Sequence, residues 1–123
     1  MEYADAKVTS DRPFAGGLPA SRKSRLSASF PHLFSPLTLG GHEIRNRILS
    51  TGHQTWLAED HLPGPDIIAY HEARARGGVG LIINESARFH ASAIGESPDL
   101  VLIHDDAIPH YARLAAAVHR HGA

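Results

Sequence analysis

The chain has 123 residues, 42% of them hydrophobic and 20% charged, and a formal net charge of −1, a balance that advertises no affinity for nucleic acid or anionic membrane. Cysteine is absent, which removes disulfides, thiolate metal sites, iron–sulfur ligation and cysteine nucleophiles. No apolar run approaches the roughly 20 residues that span a bilayer, and Met1-Glu2-Tyr3-Ala4-Asp5 lacks the basic-then-apolar order of a secretory signal, so a cytoplasmic setting is the expectation.

Residues 1–29 read as a disordered leader. Asp11-Arg12-Pro13, Gly16-Gly17 and Ser21-Arg22-Lys23-Ser24-Arg25 supply turns and charge but little periodicity. Residues 30–123 read as one partial α/β domain. Leu37-Thr38-Leu39 and Glu43-Ile44 flank Gly40-Gly41-His42, the pattern of a tight hairpin, because two glycines accept positive φ at little cost. Ile44–Ser50 has enough branched residues for a strand. A loop follows through Leu62-Pro63-Gly64-Pro65. Asp66 is the expected N-cap of a helix running to about Arg76, which Gly77-Gly78 ends.

Val79-Gly80-Leu81-Ile82-Ile83 is nearly continuous apolar sequence, as in a parallel strand covered on both faces. After a second long loop, Asp105 or Asp106 is expected to cap another helix with Pro109 in its first turn. Ile108, Tyr111, Ala112, Ala115 and Val118 would form its apolar face, with His110, Arg113 and Arg120 opposite and Gly122 at the C′ position.

Strands alternating with helices imply parallel pairing through right-handed crossovers. The helix-to-strand link is short, whereas the strand-to-helix loops, roughly 51–65 and 85–104, far exceed the usual 2–6 residues. Long loops after the strands' C-terminal ends carry the chemistry of an α/β barrel or an open doubly wound sheet. Two βα units cannot cover both faces of a parallel strand. The expectation is therefore a hairpin plus the first two βα units of a larger parallel fold, a (β/α)8 TIM barrel or an open doubly wound sheet, truncated where a third strand would begin.

Ten histidines are the compositional oddity. His119 and His121 stand two apart and would diverge on a helix, while His42-Glu43 and His71-Glu72 each lack the second histidine of an H-E-x-x-H pair. No metal site is expected. Two segments follow strand ends and could touch a ligand. Thr51, His53 and Gln54 offer donors and acceptors around Gly52, whose backbone could approach a flat ligand, and Glu85 with Ser86 follows the second strand. Read from the residues alone, the same segments also suit ordinary loops. That leaves open a metal-dependent barrel hydrolase, for which His53 lacks an H-x-H partner, and a non-catalytic α/β interaction module.

Leu33-Phe34-Ser35-Pro36-Leu37 followed by Ile44-Arg45-Asn46-Arg47-Ile48 resembles the start of the old yellow enzyme family of NADH:flavin oxidoreductases. Tyr70-His71-Glu72-Ala73-Arg74-Ala75-Arg76-Gly77-Gly78-Val79-Gly80-Leu81-Ile82-Ile83 is similar to that family's first helix and second strand, and the resemblance extends over residues 30–123. It implies a non-covalent FMN at the C-terminal mouth of the barrel, contacted by Thr51, Gly52, His53, Gln54, Glu85 and Ser86, with NAD(P)H as reductant and a small-molecule substrate. Two departures stand out. The family usually has Pro in place of Gly52, and Thr or Cys in place of Gln54. Gly52-His53-Gln54 is similar to the Pro-His-Cys of the trimethylamine dehydrogenase and 2,4-dienoyl-CoA reductase branch, in which trimethylamine dehydrogenase carries flavin on that cysteine. Gln54 cannot form such a bond, so the implied flavin is non-covalent and an amine-oxidising subtype is only a leaning. The family's remaining catalytic residues and phosphate-binding loops would lie beyond Ala123, so this chain by itself is expected to bind FMN weakly or not at all.

Overall fold

A computed structural model describes residue 25 and residues 27–123; nearly all of the leader expected over residues 1–29 lies outside the described residues. A single helical turn, α1 (Pro31–Phe34), leads into the hairpin β1 (Leu37–Leu39) and β2 (His42–Ile44). The strands pair antiparallel with Leu37 opposite Ile44 and Leu39 opposite His42. Gly40 and Gly41 sit at φ +57° and +83°. Positive φ at both central residues matches the right-handed twist of the flanking strands.

The strand expected over Ile44–Ser50 is shorter. Only Leu49–Ser50 is β3, and Arg45-Asn46-Arg47 turns aside. The reason is side-chain capture of distant backbone. The Arg45 guanidinium donates to the carbonyls of Val79 (Nη2, 2.6 Å), Ala75 (Nη2, 2.9 Å) and His121. Asn46 Nδ2 donates to Gly78 O at 2.8 Å, and its Oδ1 accepts from Ile48 N at 3.0 Å. Gly80 packs against this asparagine so closely that a Cβ there would lie 2.6 Å from Asn46 Oδ1.

Helix α2 spans Pro65–Gly77, with Gly64 rather than Asp66 at its N-cap; Pro65 opens the helix, where a missing N–H costs nothing, and Asp66 falls in the first turn. Gly78, at φ +108°, ends it with the left-handed residue that such a C-terminus requires. Ile67, His71 and Ala75, four apart, form its buried face. Strand β4 (Leu81–Ile82) then pairs parallel with β3, Leu49 opposite Leu81 and Ser50 opposite Ile82. Pairing continues past the strand ends through Ile83 N to Ser50 O at 2.9 Å.

The second long loop is more ordered than expected. It contains β5 (Ala87–Arg88) and β6 (Leu100–Val101), a parallel pair, with a 3₁₀ turn at Ala91–Ala93 between them. A further 3₁₀ turn, Asp105–Ala107, carries both aspartates that were expected to cap the last helix. That helix, α3 (Ile108–His119), has Ala107 at its N-cap instead. Its buried face is also rotated from the expected one. Leu114 and Ala117 are buried, whereas Ile108 and Ala112 are exposed, because the helix packs on α2 and sets Leu114 in one cluster with Ile67 of α2 and Leu100 of β6. Gly122 does take a positive φ, +77°.

The core is small. Ile67, Leu100 and Leu114 form its centre, with Leu57, Ala58, Ile68, Ala87, Tyr111 and Val118 packed around them. The described residues thus hold an α/β assembly of a hairpin and two parallel βα units, with the C-terminal ends of β3 and β4 side by side.

Candidate functional site

All six expected site residues follow β3 or β4. Thr51, Gly52 and His53 are exposed, Gln54 is half-buried, Glu85 is buried and Ser86 is exposed. Gly52 is needed for the close approach of the two strand ends: a Cβ at this position would lie 2.6 Å from the carbonyl oxygen of Asn84. Any side chain at this position, the proline expected from the family resemblance included, would meet that oxygen.

Gln54, Glu85 and Ser86 come together. Ser86 Oγ donates to Gln54 Oε1 at 2.8 Å, and Gln54 Nε2 reaches Glu85 Oε1 at 3.5 Å. Glu85 Oε2 accepts from the backbone N–H of Thr55 at 2.9 Å and from the Thr55 hydroxyl. The carboxylate is therefore occupied by the first loop and does not stand free at the mouth. A buried anion satisfied this way is tolerated where an unpaired one would not be.

Asp99 joins the same cluster, a residue that the polar stretch around it gave no reason to single out. Gln54 Nε2 donates to its Oδ1 at 2.7 Å. Arg88 (Nε 3.1 Å, Nη2 2.9 Å) and Ser97 Oγ (2.6 Å) donate to its Oδ2. These donors, the Ser97 hydroxyl first and the Arg88 guanidinium next, hold the Asp99 carboxyl below the usual aspartate range. His61 Nδ1 donates to the Asp99 backbone carbonyl at 2.9 Å, and His61 O accepts from Val101 N at 2.9 Å. To reach there the loop folds back through left-handed residues at Trp56, Asp60 and His61, φ +63°, +49° and +64°.

His53 points elsewhere, to α2. The Tyr70 hydroxyl lies 2.9 Å from its Nδ1, and the Arg74 guanidinium stacks over the Tyr70 ring at 3.3 Å. Behind it, buried His71 donates from Nε2 to Asn84 Oδ1 at 2.9 Å, and its Nδ1 has no partner. Among the described residues, no group of three His, Asp or Glu side chains converges as a metal site, and no helix is long and apolar enough to cross a membrane.

The site is therefore a rim of exposed backbone and polar side chains (Thr51, Gly52, His53 and Ser86) over two carboxylates engaged from below, Asp99 by Arg88 and Ser97 and Glu85 by Thr55. Such a donor set suits a flat, polar-edged, anionic ligand: it offers N–H, hydroxyl and imidazole groups and exposes little negative charge.

Comparison with known proteins points the same way. Residues 32–123 match the profile of the NADH:flavin oxidoreductase / NADH oxidase family. The N,N-dimethylglycine/sarcosine dehydrogenase of Chromohalobacter salexigens is 35% identical over 103 residues, which cover 76% of this chain and 14% of that protein. The NADH oxidase of Thermoanaerobacter brockii is 42% identical over 96 residues, covering 76% of this chain and 15% of that protein. Among solved structures, the old yellow enzyme of Trypanosoma cruzi superposes with a TM-score of 0.68 at 31% identity, over 76% of this chain and 25% of the other. The chain thus spans about one seventh of the length of these curated relatives.

Proposed function

The chain belongs to the NADH:flavin oxidoreductase / NADH oxidase family, and from that membership we propose that it supplies the flavin-facing rim of the first two strands of an FMN-dependent oxidoreductase. The observation that carries this reading is the juxtaposition of the β3 and β4 ends, through which Thr51, Gly52, His53, Gln54, Glu85 and Ser86 share one mouth. Thr51, Gly52 and His53 would meet the polar edge of the ring with backbone and side-chain donors, and Ser86 would approach from the second strand. Glu85 and Gln54 support the rim from beneath it.

Bound FMN would supply the redox chemistry, accepting hydride from NAD(P)H or an amine and passing it to an acceptor such as an activated alkene. The part of these residues is to orient the ring edge, to keep carboxylate charge away from an anionic cofactor, and to present an imidazole held by Tyr70. The name of the Chromohalobacter relative adds support for an N-methylated amine as substrate, alongside an activated alkene as the alternative.

The test is a footprint of FMN on the chain. Two-dimensional amide NMR with FMN raised to millimolar concentration is expected to show weak, saturable shifts centred on residues 51–54 and 85–86. Shifts confined to other parts of the chain would refute the assignment.

A further inference from the structure

Resting on the flavin reading, we propose that Gln54 is a positioning residue that ties the two strand-end loops into one ledge, and that it acts on the cofactor through this tie rather than by touching it. Every polar atom of its carboxamide is spent within the protein. Oε1 accepts from Ser86 Oγ at 2.8 Å, and Nε2 donates to Asp99 Oδ1 at 2.7 Å and makes a longer contact with Glu85 Oε1 at 3.5 Å. Only an amide offers a donor to two carboxylates and an acceptor to a hydroxyl at once. The tie matters because one side chain here bridges three segments, the loop after β3, the start of the loop after β4 and the approach to β6, which Thr55 to Glu85, His61 to Asp99 and Arg88 to Asp99 join only in pairs. The adjacent residue, Thr55, is fixed to Glu85 through its backbone N–H and its hydroxyl. Movement of Gln54 would therefore shift the backbone of residues 51–53, the part of the loop that is exposed at the mouth.

The chemistry yields a discriminating variant. Gln54→Glu keeps the shape but replaces the donor with an acceptor facing Glu85 and Asp99. A carboxyl placed there has its pKa raised by two like charges, so it donates only when protonated, near pH 5, and repels near pH 8. Other titratable and charged groups around the cluster are Arg88 and His61 beside Asp99, and His71 and Tyr111 beside Glu85. The unsubstituted chain at both pH values is the control for their titration.

The experiment measures the hydrogen-exchange protection factor of the Thr55 amide together with the FMN footprint. In Gln54→Ala, Thr55 protection is expected to fall roughly tenfold and the FMN-induced shifts at residues 51–53 to shrink with it, a change equivalent to the loss of one charge-assisted hydrogen bond. In Gln54→Glu, protection should be low near pH 8 and return toward that of the unsubstituted chain near pH 5. That reversal occurs within one protein, so it decides the matter even if the alanine variant does not fold. Two results would overturn the proposal: protection unchanged in Gln54→Glu at both pH values, or loss of the footprint in Gln54→Ala with Thr55 protection intact, as for a direct flavin contact. If the footprint on the unsubstituted chain falls outside residues 51–54 and 85–86, the flavin reading fails, while the protection factors still decide whether the tie exists.

Discussion

His71 illustrates how one buried group ties the site to stability. Its Nε2 donates to Asn84 at the end of β4, so the neutral tautomer is fixed, and its Nδ1 is buried without a partner. Burial, reinforced by the Arg74 charge, lowers its pKa from the ordinary histidine value, against the opposing pull of the Asn84 hydrogen bond and Glu85. The unfolded chain therefore takes up a proton more readily than the folded one. The stability this group contributes is complete above about pH 6.5 and is lost as pH falls through the depressed folded value. Urea midpoints taken between about pH 7.5 and pH 5.5 should decline with acidity, and His71→Gln, which retains a donor for Asn84, should flatten that decline. An equal slope in the variant would show that His71 does not carry the effect.

At the level of elements, the run Arg45-Asn46-Arg47 does more than link a hairpin to a strand. Arg45 reaches carbonyls at the ends of both long helices, Ala75 and Val79 around the close of α2 and His121 after α3. Helix C-termini leave carbonyls without partners, and one planar guanidinium satisfies several of them at once. Arg45→Lys keeps the charge but cannot span these acceptors, so a loss of about 2–3 kcal/mol in unfolding free energy is expected by urea denaturation. A change near zero would mean that water serves these carbonyls equally well. The same run explains why a strand expected over Ile44–Ser50 is confined to two residues: β-propensity favoured extension, but capture of distant backbone won. The rotation of the α3 face has a parallel origin. Periodicity located an apolar stripe that includes Ile108 and Ala112, whereas contact with α2 selected Leu114 and Ala117 from the helix. The hairpin and the Gly78 terminus were readable in advance, because each depends on residues adjacent in the chain.

At the scale of the whole fold, several large apolar side chains among the described residues are exposed. Leu49 and Ile83 on and beside the parallel strands are 47% and 50% exposed, Phe89 is 83% exposed, and the described strands fall into three separate pairs. A parallel strand gains its stability from cover on both faces, and pairs alone are marginal in water. Measured by itself, the chain is expected to melt broadly in circular dichroism and to bind a hydrophobic dye, whereas a sharp, cooperative transition without dye binding would show that the small core around Ile67, Leu100 and Leu114 is sufficient. The sequence alone determined the α/β alternation, the family, and the two strand ends that lie side by side, since each rests on local periodicity or on motifs contiguous in the chain. Only the tertiary structure decided that Gln54 faces Asp99, that Glu85 is spent on Thr55, and that His53 leans on Tyr70. Those pairings join residues 17 to 45 positions apart, and the distances that make them hydrogen bonds exist only once the chain has folded.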